Sequence, residues 1–422
     1  MITKTADAMR ARQAAVAAVA EAESVACDVL QERVRQGRVV ILGGPGKAAR
    51  ALGIGEGLST KINANLGTSP DIGDLESEVA KTKAAVAAGA HTVMDLSTGG
   101  DLRAIRRAVR DCCEVPLGTV PVYEAGVIAS ERYESIAEMP GELMLEAVKQ
   151  HAEDGVDFMT IHCGVTLASV ARLRAEGRVG GIVSRGGSIL AHWMLQNETE
   201  NPLYARYDEV LQICREHDVC LSLGDGLRPG ALADATDRGQ LEELLVIGEL
   251  TERALEAGVQ VIVEGPGHVP LNQIEANVAV MKRVCHGVPF YVLGPLVTDV
   301  CPGYDHIVGA IGGALCAAAG ADYQCCVTPA EHLGLPTEED VVLGVIASRI
   351  AAHAADLVKG VPGASDWDLE MSRARRNLDW EAMTRLAINP SRVREVRTER
   401  ASHDAQACSM CGSFCSLKRR EG

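Results

Sequence analysis

Three cysteines near the carboxyl end, Cys408, Cys411 and Cys415, stand two and then three residues apart in ACSMCGSFCSLKRREG. Three thiols within eight residues make no sensible disulfide set, and the segment has little apolar mass to bury them. Its polar setting, with Lys418, Arg419 and Arg420 close by, favours thiolates. Three thiolates can hold three irons of a four-iron cluster and leave the fourth iron open to a chelating ligand. S-Adenosylmethionine, through its amino and carboxylate groups, is the candidate ligand for radical chemistry there. The rival is a structural zinc knuckle, which wants a fourth ligand; His403 is near but poorly spaced.

A second group of residues suits recognition of a small anion and a metal. His268 in GPGHVP and His332 in TPAEHLGLP are imidazoles held between prolines and glycines, a rigid setting for a divalent metal such as zinc. Either histidine alone would more ordinarily be a hydrogen-bonded structural residue. Ser184, Arg185, Gly186 and Gly187 form a turn whose backbone N–H groups can approach an oxyanion. In Asp225-Gly226-Leu227-Arg228 the guanidinium can grip phosphate, while Asp225 and Glu264 can hold ribose hydroxyls or a ring amine. A phosphorylated ribose is the substrate class this pattern suggests.

These residues are far apart in sequence, so a fold must gather them. From residue 60 onward, nine short apolar runs end in polar or glycine residues: INANLG, TVMDLSTGG, GTVPVYEAG, FMTIHCG, GIVSRGGS, LSLGDGLRPG, VIVEGPGHVP, FYVLGP and QCCVTPAEH. Amphipathic stretches such as DLESEVAKTKAAVAAGA lie between them. Strands alternating with helices predict a parallel sheet. About eight such units over roughly 270 residues fit a closed (β/α)8 TIM-type barrel of the α/β class. One of the nine runs must then be something else. Asn65, Met94, Tyr123, His162, Ser184, Asp225, Arg228, Glu264, His268 and Tyr291 fall at or just past the ends of these runs. In a barrel those ends share one face, where active sites form.

Outside the barrel, residues 1–36 read as helix, and RVVILGGPGKAARALGIGEG as a short strand followed by a glycine-rich loop. That loop lacks the Gly-Lys-Ser/Thr ending of a phosphate loop. Residues 1–59 are thus an N-terminal segment, 60–340 the catalytic barrel, 341–396 a helical appendage, and 397–422 a flexible tether carrying the cysteine tail. The net charge of −16 argues against nucleic-acid binding. No run reaches the roughly 18 apolar residues of a membrane span. A cytoplasmic location is expected, with the 14 cysteines as thiols or metal ligands.

The longer motifs go further. NANLGTSP, TVMDLSTGGD, TIHCGV, VSRGGS, SLGDGLRPG, VEGPGHVP, FYVLGPLVTD, PGYDHI, TPAEHLGLP, AAHAADL and CSMCGSFC resemble the phosphomethylpyrimidine synthase family of thiamine biosynthesis. The likeness covers residues 37–415, and the family includes a paralogue, 5-hydroxybenzimidazole synthase of anaerobic cobalamin (cobamide) biosynthesis. It implies a radical S-adenosylmethionine carbon–carbon lyase, a homodimer, aminoimidazole ribotide as substrate, and an electron donor such as flavodoxin or ferredoxin. By matching motif it implies substrate contacts from Asn65, Met94, Tyr123, His162, Ser184, Arg185, Gly186, Asp225, Gly226, Leu227, Arg228, Glu264 and Tyr291. It likewise implies a metal at His268 and His332, and a 4Fe–4S cluster at Cys408, Cys411 and Cys415.

The chain departs from the family pattern in four places. The tail spacing is shorter than the long family form, LGGPGK replaces an arginine-asparagine turn, Cys326 stands where tyrosine is expected, and Cys301 where alanine is. The two cysteines adjoin the expected site. On this ground the sequence reading leans toward 5-hydroxybenzimidazole as product, with the thiamine pyrimidine phosphate as the alternative and a non-enzymatic zinc-binding scaffold as a second alternative.

Overall fold

The computed structural model describes residues 2–43, 50–401 and 407–418. The chain divides into two compact units, Met1–Ala355 and Asp356–Gly422.

The first unit opens with two helices, Ile2–Ala22 and Cys27–Arg35, where one was expected. The break is set by local chemistry. Ser24 takes a positive φ of 54°, and Glu23 turns its carboxylate onto the Ser59 amide and the Lys61 ammonium, each at 2.8 Å. An antiparallel hairpin follows, β1 (Val39–Leu42) with β2 (Leu52–Gly55). The second hairpin strand lies where the sequence predicts a glycine-rich loop, since two of its four residues are glycine. Gly44 to Lys47 of the glycine-rich stretch lie outside the described residues. Val16, Val19, Leu30, Val39, Ile41 and Leu58 close a small core of their own here.

The eight strands of the barrel are β3 (Lys61–Leu66), β4 (Thr92–Asp95), β5 (Leu117–Thr119), β6 (Phe158–Ile161), β7 (Cys220–Leu223), β8 (Val261–Gly265), β9 (Phe290–Leu293) and β10 (Tyr323–Cys325). All pair in parallel, and β10 closes the ring onto β3. Strands covered on both faces need apolar residues at nearly every position, which is why these runs do not alternate. Helices follow the strands, and several begin at side-chain caps. Asp74, Asp101 and Asp237 accept from backbone amides at the starts of Leu75–Ala88, Leu102–Cys112 and Arg238–Glu256, each cap being worth about 1 kcal/mol.

The surplus run is GIVSRGGS. It is no strand; it follows the helix Leu167–Glu176 and runs into an inserted helix, Arg185–Asn197, with Ser184 as its cap. Ser184 therefore sits at a helix start and not at a strand end. The helix Glu338–Lys359 is long and apolar enough by composition to cross a membrane, yet Val341, Val345 and Ala352 pack into the barrel core.

The second unit contains the helices Ala364–Asn377, Trp380–Leu386 and Pro390–Glu399. Trp367 donates to the Leu386 carbonyl at 2.7 Å, and Arg397 lies 3.6 Å over the Trp380 ring. Pro390 starts a helix in place of ending one: its missing N–H costs nothing in the first turn, and Asn389 caps that turn through the Arg392 amide. Residues 402–406, including His403, lie outside the described residues. The cysteine segment holds a short 3-10 turn, Gly412–Phe414.

Candidate active site

A cleft of about 490 Å³ is lined by residues from all eight strands or the segments just after them. It brings together Asn65, Met94, Tyr123, His162, Asp225, Arg228, Glu264 and Tyr291, eight of the thirteen substrate-contact residues expected from sequence. The other five stand around it. Ser184 Oγ lies 3.3 Å from His162 Nε2, and the Arg185 guanidinium sits 4.7 Å from the centre of the Tyr123 ring. Gly186, Gly226 and Leu227 contribute backbone. The first two glycines are needed for packing: a Cβ on Gly186 would fall 2.4 Å from the His162 ring, and one on Gly226 would fall 2.3 Å from Val165.

The charged groups in the cleft are held in unusual states by burial. Burial raises the Glu264 carboxyl, opposed by hydrogen bonds from Thr160 Oγ1 at 2.6 Å and Ser222 Oγ at 3.2 Å and by the Arg228 charge. Asp225 is raised well above the ordinary carboxylate range by burial, with Arg228 only partly opposing it. Arg228 Nη1 approaches Asp225 Oδ1 at 3.4 Å, while Asp225 Oδ2 is buried with no hydrogen-bond partner. His162 is pushed down to about 3 by burial and then by Arg228, so it is a neutral imidazole whose Nδ1 also lacks a partner. Buried polar atoms are almost always satisfied in folded proteins. Two unsatisfied ones on residues that line the same cleft mark where a polar ligand belongs.

Sequence reasoning missed the supports. Asn63 donates to Asn65 Oδ1 and to the Tyr291 hydroxyl, both at 2.8 Å, and Tyr291 stacks on Tyr323 at 4.1 Å. Thr160 and Ser222 hold Glu264, and Cys325 lines the cleft. The signal for two of these was available: Asn63 is two residues from Asn65, and Thr160 two from His162, so each pair shares a strand face.

His268 and His332 lie outside the cleft lining, with ring centres 5.5 Å apart. Each imidazole gives its Nδ1 to a carboxylate: His268 to Asp299 at 2.9 Å, His332 to Asp305 at 2.8 Å. The second oxygen of each aspartate accepts from a backbone amide, Leu232 for Asp299 and Gly303 for Asp305. Such partners fix the tautomer and leave Nε2 as the basic nitrogen, as in metal-ligating histidines. The two aspartates were not singled out from sequence, although both lie inside quoted motifs. Among the described residues no group of three or more His, Cys, Asp or Glu could hold a metal ion.

Cys408, Cys411 and Cys415 belong to the second unit. The Cys408 thiol is lowered by the Cys411 and Met410 amides, which favours its thiolate. Cys411 is exposed.

The Radical SAM ThiC family matches residues 3–421. The chain belongs to this family. A phosphomethylpyrimidine synthase of Moorella thermoacetica is 59% identical over 401 residues, covering 95% of this chain and 93% of its own length. One from Desulforudis audaxviator is 60% identical, with 88% and 86% covered, and one from Methanopyrus kandleri is 56% identical, with 95% and 94% covered. These relatives correct the lean toward 5-hydroxybenzimidazole synthase, since they carry the name of the thiamine enzyme. The geometry explains the error. Cys326 is buried and absent from the cleft lining, and Cys301 packs beside a small cluster of Leu296, Val308 and Val327. The two departures that motivated the lean do not line the cleft. The family's enzymes are radical enzymes that use a 4Fe–4S cluster and S-adenosylmethionine.

Proposed function

We propose that the protein is a phosphomethylpyrimidine synthase, a carbon–carbon lyase that converts aminoimidazole ribotide to hydroxymethylpyrimidine phosphate. The observation that carries this reading is the convergence of Asn65, Met94, Tyr123, His162, Asp225, Arg228, Glu264 and Tyr291 on one cleft holding two unpartnered polar atoms. The relatives' shared name favours the pyrimidine over the benzimidazole.

In this reading Arg228 and the start of helix Arg185–Asn197 receive the substrate phosphate, where a cation and a helix dipole both favour an anion. Neutral His162 and the buried Asp225 meet the polar groups of the sugar or imidazole. Glu264, held by Thr160 and Ser222, stays in a water-poor setting and keeps its proton to higher pH than an exposed glutamate would. Met94, Tyr291 and Cys325 close the floor and exclude water.

The chemistry of the donor sets fits the groups the family uses. Cys408, Cys411 and Cys415 would hold the cluster, and His268 and His332 zinc or another divalent ion, oriented by Asp299 and Asp305. A cluster at the three cysteines would supply the electron that cleaves S-adenosylmethionine, so that the deoxyadenosyl radical can take hydrogen from the ribose. The electron would come from a small carrier such as flavodoxin or ferredoxin. A homodimer belongs to the same reading. Ile307, Ile311 and Leu315 support it, forming a half-exposed apolar row at four-residue spacing on helix Asp305–Ala319. A monomeric mass in sedimentation would remove the dimer.

The test is deoxyadenosine formation. Anaerobically loaded, reduced wild-type protein should release it from S-adenosylmethionine. Cys411→Ala should release none while its melting temperature stays within about 1 °C, because an exposed side chain contributes little to stability. Unchanged release from that variant would end the radical reading.

A further inference from the structure

Behind the cleft lies a second cavity of about 350 Å³, which shares Asp225, Arg228, Glu264 and Gly265 with it. One further acid faces this rear cavity: Glu243, on helix Arg238–Glu256, only 2% exposed and absent from the cleft lining. Its Oε2 accepts from the Leu227 amide at 2.8 Å, and its Oε1 is buried with no hydrogen-bond partner. Leu227 lies between Asp225 and Arg228 in the tight turn that the Arg228 amide closes onto the Asp225 carbonyl at 3.1 Å.

The same turn is pressed from its other side by backbone. A Cβ on Gly187 would fall 1.9 Å from the Gly226 carbonyl oxygen, so the Ser184–Gly187 turn and the Asp225–Arg228 turn touch main chain to main chain. The Gly226–Leu227 segment is thus held between a glycine backbone and one carboxyl group. A buried amide left without an acceptor is unfavourable enough to move a short loop off its position.

We infer that Glu243 is a positioning residue for the cleft. By accepting from the Leu227 amide it locks the Asp225–Arg228 turn against the Ser184–Gly187 turn, and so fixes where Asp225 and Arg228 present themselves to the phosphorylated substrate. This rests on the functional reading above. The acceptor oxygen is what matters, and not negative charge. Burial pushes the Glu243 carboxyl up to about 8, so it is mostly neutral at pH 7 and an amide can replace it.

Three variants test this in the full-length protein: Glu243→Gln, which keeps an acceptor in place, Glu243→Asp, which keeps the acid but withdraws it by one methylene, and Glu243→Leu. Aminoimidazole ribotide binding is read by calorimetry, and KM and kcat are read on the loaded enzyme. Expected is a Kd for Glu243→Gln within about threefold of wild type. Glu243→Asp should bind at least tenfold more weakly, with KM raised more than kcat is lowered; Glu243→Leu should do the same if it folds. A Glu243→Asp variant that binds like wild type overturns the inference. So does a Glu243→Gln variant as weak as Glu243→Asp, since charge would then be the requirement. Failure of the wild-type protein to bind this nucleotide would instead strike at the functional reading.

Discussion

Asp299 and Asp305 each hold one imidazole of the proposed metal pair. Each spends one oxygen on a histidine Nδ1 and the other on a backbone amide, so neither imidazole is free to turn. Removing such an orienting carboxylate costs roughly 10–100-fold in metal affinity. Asp305→Ala should therefore weaken zinc binding by at least tenfold in a competition titration with a chromophoric chelator, with the barrel still folded. Equal affinity in wild type and variant would show that this histidine pair is not a metal site. At this scale the sequence offered candidate ligands and was silent about the groups that hold them. His268 and His332 could be picked out because imidazole between proline and glycine is unusual. The aspartates could not, because the contacts that define them come from chain 27 and 31 residues away.

Among the elements, the helices after β4 and β5 and the helix before β6 are tied by a buried charge network. Arg106, on Leu102–Cys112, donates to Glu124 on Pro121–Arg132 and to Asp154 just past Gly141–Glu153; Glu124 also pairs with His151 at 2.7 Å. Glu124 is the neighbour of Tyr123, so the network fixes the start of the helix that places Tyr123 in the cleft. Burial raises both carboxyls, but hydrogen bonds from His151 and Arg106 bring Glu124 down to about 2, and bonds from Arg103, Arg106 and Arg107 bring Asp154 to about 2. Carboxyls depressed in the folded state stabilise it above their unfolded values, near 4, and lose that contribution as pH falls toward about 2. Arg106→Ala takes one partner from each of two buried acids, which keep Arg103, Arg107 and His151, and should cost about 3 kcal/mol at pH 7, the low end for breaking a buried pair, read by denaturant unfolding. The deficit against wild type should shrink between about pH 4 and pH 2. A deficit that holds constant through that range would contradict the network's role. The elements themselves were largely legible, because doubly covered strands leave unbroken apolar runs. GIVSRGGS failed because its glycines and serines begin a capped helix, and periodicity cannot separate a short apolar run before a helix from a strand. The break between the first two helices also escaped, since Glu23 turns inward to a lysine 38 residues away.

For the whole molecule, the cleft lies in the first compact unit, Met1–Ala355, and the three cysteines lie in the second, Asp356–Gly422. In the proposed function, the unit that holds the cleft recognises the substrate and the unit that holds the cysteines generates the radical. Which product results depends on how the cleft holds the substrate once the radical forms. The lean toward the benzimidazole fails there, because it weighs Cys301 and Cys326 as part of the site when one packs in a small side cluster and the other is buried and does not line the cleft. The most direct measurement is product identification by mass spectrometry, after incubating the anaerobically loaded, reduced protein with aminoimidazole ribotide and S-adenosylmethionine. Hydroxymethylpyrimidine phosphate with deoxyadenosine is the expected result. Hydroxybenzimidazole, or turnover of the ribotide with no deoxyadenosine formed, would contradict it.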